Sequence, residues 1–168
     1  MTRDVASRFN QKYGETLILP DERIQEETML IPGTDGEKMS KSRGNYIDIF
    51  LPEKELRKQI MSIVSDSTPL EEPKNPDTCH VFALYKLLAD EQQIVNMRVN
   101  YLNGGYGYGH AKQALFELIL IKFEKQRNRF NELMNNKSQI DHALASGAVR
   151  AGKIANEVLK RVRAKVGY

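Results

Sequence analysis

Two lysines three residues apart, Lys38 and Lys41, stand in a stretch that has almost nothing to bury. Gly33-Thr34-Asp35-Gly36 precedes them and Ser42-Arg43-Gly44-Asn45 follows. Glycines let a backbone come close to an anion, and the N–H groups and hydroxyls of such a loop, here around Met39, Ser40 and Ser42, can donate to phosphate oxygens. Two ammonium groups can neutralise charge on a polyphosphate. The combination suits a mobile clamp over a triphosphate, stabilising the charge that builds on a departing pyrophosphate. A solvated, lysine-rich surface loop is the plain alternative, and for a generic Lys-x-x-Lys it would prevail.

The elements around this loop follow from apolar spacing. Val5, Ala6, Phe9 and Tyr13 recur at helical intervals from Arg3 to Tyr13, and Gly14 is a favoured helix stop. Thr16–Pro20 reads as short and extended, followed by an acidic stretch (Asp21 to Glu27) and an apolar group, Met29 to Pro32. Tyr46, Ile47, Ile49 and Phe50 suggest a brief strand. From Pro52 the pattern is helical: Leu56, Ile60, Ile63 and Val64 form one face, with Pro52 in the first turn. Pro69, Pro73 and Pro76 make an irregular connection. Asp77 or Thr78 can cap a helix carrying Val81, Phe82, Tyr85 and Leu88. Asp90 with Gln93 forms a capping-box pattern, opening a helix with Ile94, Met97 and Tyr101 that stops at Gly104-Gly105. His110 to Asn135 reads as one helix of roughly seven turns. Ser138 is expected to cap a short helix ending at Gly147, and a last helix runs toward Gly167.

The resulting expectation is a mainly α chain in two parts. Residues 1–50 form a mixed, loop-rich segment, and residues 51–168 an all-helical domain. Composition agrees with an ordinary globular chain, at 40% apolar and 28% charged residues. No apolar run approaches the roughly 20 residues that span a bilayer, and Met1-Thr2-Arg3-Asp4 shows no signal-peptide pattern. A cytoplasmic protein without a membrane partner is the simplest reading. Cys79 is the single cysteine, which excludes an internal disulfide and a cysteine-based zinc site; a small core residue is its expected role. Net charge is +3 but uneven. Residues 1–104 hold 13 Lys/Arg against 17 Asp/Glu, and residues 105–168 hold 12 against 5. The basic second part suggests an anionic partner, with nucleic acid the leading candidate.

Lys38-Met39-Ser40-Lys41-Ser42 also resembles, letter for letter, the KMSKS motif of class I aminoacyl-tRNA synthetases. The flanks carry the resemblance further, toward the tryptophanyl-tRNA synthetases. Phe9-Asn10, Tyr13-Gly14-Glu15 and Leu19-Pro20 are similar to that family's approach to the motif, and Gly33-Thr34-Asp35-Gly36 to its turn before the first lysine. Gly105-Tyr106-Gly107-Tyr108-Gly109 with Lys112 resembles its Gly-Tyr-Gly…Lys segment. Gly147-Ala148, Arg150-Ala151, Ile154-Ala155 and Val162-Arg163 resemble its closing helix. Methionyl enzymes often share Arg43-Gly44-Asn45 after the motif but lack the Tyr/Gly segment; tyrosyl enzymes usually depart at the motif's second and third letters. Gly152 stands where an arginine is usual, which puts that arginine's role in doubt. The prolines at 69, 73 and 76 and Cys79-His80-Val81-Phe82 also differ from the common version.

The resemblance implies the following. The fold is the tail end of a Rossmann-like α/β catalytic domain (1–50) joined to a helical, anticodon-binding type domain (51–168). Lys38 and Lys41 are the catalytic residues, and Lys38, Met39, Ser40, Lys41 and Ser42 contact ATP, which is accompanied by Mg²⁺. Partners are ATP, tRNA and tryptophan, the intact enzyme being a homodimer. The companion motif, His-Ile-Gly-His, is missing: His80, His110 and His142 lie in other contexts, and no residues suggest a resident metal site. The tryptophan pocket belongs to the N-terminal half, so this piece alone is expected to be inactive. Phosphate contacts to tRNA would come from Lys122, Lys125, Arg127 and Arg129, and from Arg150, Lys153, Lys160, Arg161, Arg163 and Lys165. Tyr101, Tyr106 and Tyr108 are read as closing a helix corner rather than stacking on bases. Alternatives are another class I synthetase (tyrosyl or methionyl), a stand-alone helical RNA-binding module, and a helical protein-interaction domain.

Overall fold

A computed structural model describes residues 1–25 and 30–168. The acidic stretch and apolar group expected at 21–32 therefore fall partly outside the described residues. Seven α-helices and one 3₁₀ turn account for the regular structure there, with no strand and one isolated antiparallel bridge, Pro32 to Lys38. The chain divides into two compact units, residues 25–131 and residues 1–24 with 132–168.

The first unit holds the core. Helix α2 (Glu53–Met61) buries Leu56 and Ile60, one turn apart, and Ile63 extends that stripe just past the helix end. Val64 stays half exposed, outside the stripe. Pro52 sits at the N-cap rather than inside the first turn. The stripe packs on α5 (Tyr108–Lys122), which buries Ala111, Leu115, Phe116, Leu118 and Ile119, and α3 (His80–Lys86) packs on α5 beside it. Each fully buried aliphatic side chain here contributes roughly 1.5–3 kcal/mol of hydrophobic stabilisation.

Neither Asp77 nor Thr78 caps α3. Asn75 instead caps the 3₁₀ turn Pro76–Thr78, its Oδ1 accepting from the Asp77 N–H at 2.9 Å. The Asp77 carboxylate is turned to Arg98 on α4 (Glu91–Asn103), which donates to it at 2.5 and 3.1 Å. The capping box that opens α4 is present in full: Asp90 Oδ1 accepts from the Gln93 N–H (2.8 Å) and Gln93 Oε1 from the Asp90 N–H (3.0 Å). Gly104 stops the helix with φ +73°, and a Cβ there would lie 2.3 Å from the Glu71 carbonyl oxygen. Two backbone bonds hold that approach, the Gly105 N–H on the Leu70 carbonyl (2.9 Å) and the N–H of Lys74, a residue 2% exposed, on the Tyr101 carbonyl (2.7 Å). The Lys74 ammonium donates to the carbonyls of Pro69, Leu70 and Glu72 at 2.7–3.2 Å, so the buried charge keeps a full set of acceptors. The proline-rich connection is thereby a folded strap and not a loose linker.

The tyrosine corner is packing, as read from the sequence. Tyr101 is fully buried, its ring within 5.7–6.1 Å of Phe82, Tyr106 and Tyr108, and its hydroxyl lies 3.3 Å from Cys79 Sγ. Burial pushes the Tyr101 phenol far above its ordinary range. Tyr108 Oη donates to Asp66 at 2.8 Å, and its phenol is pushed up to about 12, chiefly by desolvation.

Three expectations fail for identifiable reasons. Residues 46–50 are no strand: Asp48 Oδ1 accepts from the Phe50 N–H (2.9 Å) and the Asp48 N–H donates to Gln59 Oε1 (3.0 Å), so side chains take the bonds a ladder would need. The seven-turn helix from His110 starts at Tyr108 and breaks at Phe123 (φ −107°, ψ 13°) into α5 and α6 (Glu124–Asn135). Helix α5 buries one face, from Ala111 to Ile119, while α6 buries no residue, so the join falls where the packing demand changes. Third, the two final helices are one, α7 (Lys137–Val166), 30 residues and about 45 Å long. Gly147 and Gly152 lie inside it with room around them, and Ser138 Oγ bonds Asn136 Oδ1 in place of a backbone cap. Two glycines at roughly 1 kcal/mol each do not offset a run rich in Ala, Lys and Arg.

The second unit contains α7 and α1 (Thr2–Tyr13), which ends at Gly14 with φ +83° as anticipated. Asn10 fixes the segment that follows: Oδ1 accepts from the N–H groups of Thr16 (3.1 Å) and Leu17 (2.9 Å), and Nδ2 donates to the Leu17 carbonyl (2.7 Å).

Replacing Gly147 or Gly152 with alanine should stabilise the chain by up to about 1 kcal/mol each in denaturant unfolding, because both are helical and unobstructed. A helix ending at Gly147 would give the opposite sign. A second expectation concerns pH. Hydrogen bonds from Thr68 and Tyr108 lower the Asp66 pKa, and Arg98 lowers that of Asp77. Folded values below the unfolded ones mean a contribution complete above the ordinary aspartate pKa of about 4 and lost as pH falls through the folded values. Melting temperature should be flat from neutral pH to mild acid and drop below about pH 4, and the drop should shrink in Asp77→Asn.

Candidate functional site

The loop around Lys38 and Lys41 is built as a tight hairpin with a second turn behind it. Around the Pro32–Lys38 bridge, the Gly33 N–H donates to the Glu37 carbonyl (2.7 Å) and the Met39 N–H to the Ile31 carbonyl (2.8 Å). The reversal uses Thr34-Asp35-Gly36, with the Gly36 N–H bonded to the Gly33 carbonyl at 3.1 Å. Gly36 has φ +85°, and a Cβ on it would meet the His80 ring at 2.3 Å, so backbone and imidazole are in direct contact. Lys41–Gly44 form the second turn, closed by the Gly44 N–H on the Lys41 carbonyl at 3.1 Å.

Both turns are fastened by Asn45, 3% exposed. Its Oδ1 accepts from the Ser40 N–H (2.7 Å), while Nδ2 donates to Asp35 Oδ1 (2.7 Å) and to the Lys38 carbonyl (3.2 Å). Its own carbonyl accepts from the Thr34 N–H at 2.8 Å. Gly33 is the only residue type that fits beside it: a Cβ there would lie 2.5 Å from the Asn45 amide. Asp35 also accepts from the Glu37 N–H (3.0 Å), and its carboxyl is held below the usual range, first by the Asn45 hydrogen bond. The Val64 N–H, donating to the Thr34 carbonyl at 2.8 Å, ties the hairpin to the end of α2.

The expected site residues divide into two groups. Lys38 and Lys41 are exposed, and among the described residues neither is paired with a carboxylate. Their ammonium groups are available to an anion, with three donors each. Ser40 and Ser42 lie beside them with hydroxyl oxygens 2.9 Å apart. Met39 points the other way. Its N–H is taken by Ile31, and its half-buried side chain lines an apolar groove of about 190 Å³ with Ile31, Ile47, Leu88, Ile119 and Phe123. Its part is thus to anchor the loop, and the backbone donor expected of it is already used. Arg43 and Glu37 approach to 3.8 Å, both largely exposed, a pair that contributes little.

The basic residues of the helices are mostly solvent-facing. Lys122 and Lys125 are exposed, as are Arg150, Lys153, Lys160, Arg161, Arg163 and Lys165 on α7. Arg127 is different: its guanidinium donates to the Ile49 carbonyl and joins α6 to the segment after the loop. Lys112 donates to the Met61 carbonyl at 3.2 Å, and burial lowers its pKa. His110 is the third residue of α5, against Tyr106, and His142 is exposed on α7. Sequence reading missed Asn45, His80 and Lys74. Only Asn45 had a signal, as a single polar residue between a glycine-rich loop and an apolar run.

Comparison with known proteins places these features in context. A family described as tRNA synthetases class I (W and Y) matches residues 1–124. The tryptophan–tRNA ligase of Campylobacter jejuni strain RM1221 is 44% identical over 167 residues, 99% of this chain and 52% of the relative. That of Fusobacterium nucleatum is 44% identical over 168 residues, covering 99% and 51%. A crystal structure of the C. jejuni tryptophanyl-tRNA synthetase complexed with ADP and tryptophan superposes with a TM-score of 0.83 at 44% identity, over 99% of this chain and 52% of that one. The chain spans about half the length of the curated relatives it matches.

Steric contact makes the loop's glycines unequal. Gly33→Ala should release the hairpin, seen as faster tryptic cleavage after Lys38 and Lys41, whereas Gly109→Ala, outside the loop, with no positive φ and a Cβ that meets nothing, should leave the rate unchanged. Equal rates in the two variants would contradict the role given to the Gly33–Asn45 contact.

Proposed function

The chain belongs to the class I tRNA synthetases of the tryptophan and tyrosine group, and from that premise we propose that it supplies the phosphate-binding loop and the helical part of a tryptophan–tRNA ligase. The observation that carries the reading is a KMSKS loop fastened at its base with both lysines in solvent, in a chain 44% identical along its length to tryptophan–tRNA ligases. In this reading residues 1–50 close the nucleotide-binding domain and residues 51–168 form the tRNA-facing domain of a cytoplasmic enzyme.

The chemistry assigned to the loop is charge stabilisation. A tryptophan carboxylate oxygen attacks the ATP α-phosphorus, forming the acyl-phosphate bond of the adenylate. The bond from that phosphorus to the bridging oxygen breaks, and pyrophosphate leaves with the electron pair. Lys38 and Lys41 bind the phosphates whose charge rises in that step, with the Ser40 and Ser42 hydroxyls as further donors. Their long, unpaired side chains can follow the leaving group. The aminoacyl group then passes to the terminal ribose of tRNA. Among the described residues no three His, Cys, Asp or Glu side chains converge to hold a metal ion. In this reading the Mg²⁺ that accompanies ATP would be held chiefly by the phosphates and water. Tryptophan binding and the homodimer contact are assigned to the part of the relatives that this chain does not match. The exposed cations of α6 and α7 supply non-specific phosphate contacts to tRNA.

The test is tryptophan-dependent ATP–pyrophosphate exchange by the full-length protein containing this chain, alongside Lys41→Ala. Removing one preorganised charge donor should lower exchange by about 10²–10³-fold, with the melting temperature unchanged. Exchange driven by tyrosine or methionine would overturn the amino-acid assignment. Absence of exchange with any amino acid, with RNA binding retained, would favour a helical RNA-binding module.

A further inference from the structure

From the geometry at the base of the loop we infer that Asn45 is a positioning residue for the adenylation step, setting through its side-chain amide where Lys38 and Lys41 leave the protein. The inference rests on the function proposed above and names the group that holds its site in shape.

Asn45 Nδ2 has two protons, and two acceptors face it, Asp35 Oδ1 at 2.7 Å and the Lys38 carbonyl at 3.2 Å. Oδ1 faces a donor, the Ser40 N–H at 2.7 Å. Every proton of the amide is therefore used, and the partners fix which end is oxygen. Two of the three partners are main-chain groups inside the motif: the carbonyl of Lys38 itself and the N–H of the residue before Lys41. The side chains of both lysines are exposed, so apart from Met39 the loop has no packing of its own to define where they begin. Met39 anchors it on one side, and Asn45 joins the hairpin to the second turn on the other. The carboxylate of Asp35 strengthens the device as a charge-assisted partner.

Such a hub accepts one kind of residue. Alanine leaves the Ser40 N–H and the Lys38 carbonyl without partners. Aspartate is isosteric and still accepts from Ser40, but its second oxygen meets two acceptors. It can stay there only when protonated, sharing one proton with Asp35, as carboxylates in contact do. The titratable or charged groups of the elements around this pair are Glu37, Lys38, Lys41 and Arg43 on the loop and His80, which lies against Gly36, and they are the same in wild type and in both Asn45 variants.

The experiment is the same exchange assay on the full-length protein, from pH 6 to 8.5, with Asn45→Asp, Asn45→Ala and Lys41→Ala. Asn45→Asp should lose about 10²-fold in kcat at pH 8, the scale of a misplaced catalytic group, with KM for tryptophan unchanged. The deficit should narrow by about tenfold toward pH 6 as the shared proton restores the donor. Asn45→Ala should be low throughout, without recovery. An Asn45→Asp variant as active as wild type at pH 8, or one impaired by the same factor at every pH, overturns the inference, the second outcome reducing Asn45 to a space-filling role. Absence of exchange in wild type, or full exchange in Lys41→Ala, overturns the function itself and the inference with it.

Discussion

A loop that holds two ammonium groups out in water has little apolar surface besides Met39 with which to define its shape. Its conformation depends on the polar contacts at its base, and here these converge on the buried amide of Asn45. The constraint propagates outward. Because the amide sits against the backbone of residue 33, only glycine fits there. Because Asp35 accepts from the amide, the turn that carries it must close tightly, which places Gly36 in a conformation with positive φ and against His80. Sequence composition around the motif follows from this one buried group more than from any requirement for flexibility.

The loop is coupled to the helical core by a few contacts of different kinds. Met39 reaches into an apolar groove floored by α5, the Val64 N–H holds the hairpin to the end of α2, and His80 at the start of α3 touches Gly36. Three helices of one hydrophobic core thus meet a segment that is itself almost entirely polar. The core in turn depends on the strap of residues 69–76, whose carbonyls converge on the Lys74 ammonium, and on Tyr101, around which α3, α4 and α5 are arranged. A buried lysine is stable there because carbonyl dipoles replace its hydration on several sides.

Several elements were legible because a single local rule decides them. The Asp90–Gln93 box, the stops at Gly14 and Gly104 and the Leu56–Ile60–Ile63 stripe depend on residues within a turn or two of one another. The candidate residues of the loop could be singled out for the same reason, since Lys38, Ser40, Lys41 and Ser42 all lie in one short stretch. The misreadings came where local rules were ambiguous. Gly147 resembles a helix stop, yet it stops nothing when no backbone group nearby competes for its hydrogen bonds. Continuous helical propensity from 110 to 135 hid a change from buried to exposed packing at Phe123. Alternating apolar residues at 46–50 suggested a strand, but Asp48 and Gln59 took up the backbone donors first.

The sequence by itself determined which residues are chemically capable: the two lysines, their hydroxyl neighbours, the helical class and the excess of basic residues after position 104. These depend on residue type and short spacing, both of which can be read in one dimension. Tertiary structure alone decided which of those groups are free to act. Met39 turned from presumed donor to anchor because its N–H found Ile31; Arg127, counted among the phosphate ligands, binds the Ile49 carbonyl; and Asn45 and Lys74 became organising centres. The Arg127 partner lies 78 residues away and the others lie nearby in sequence, but in every case a buried polar group takes its role from whichever partners the completed fold brings within hydrogen-bond distance.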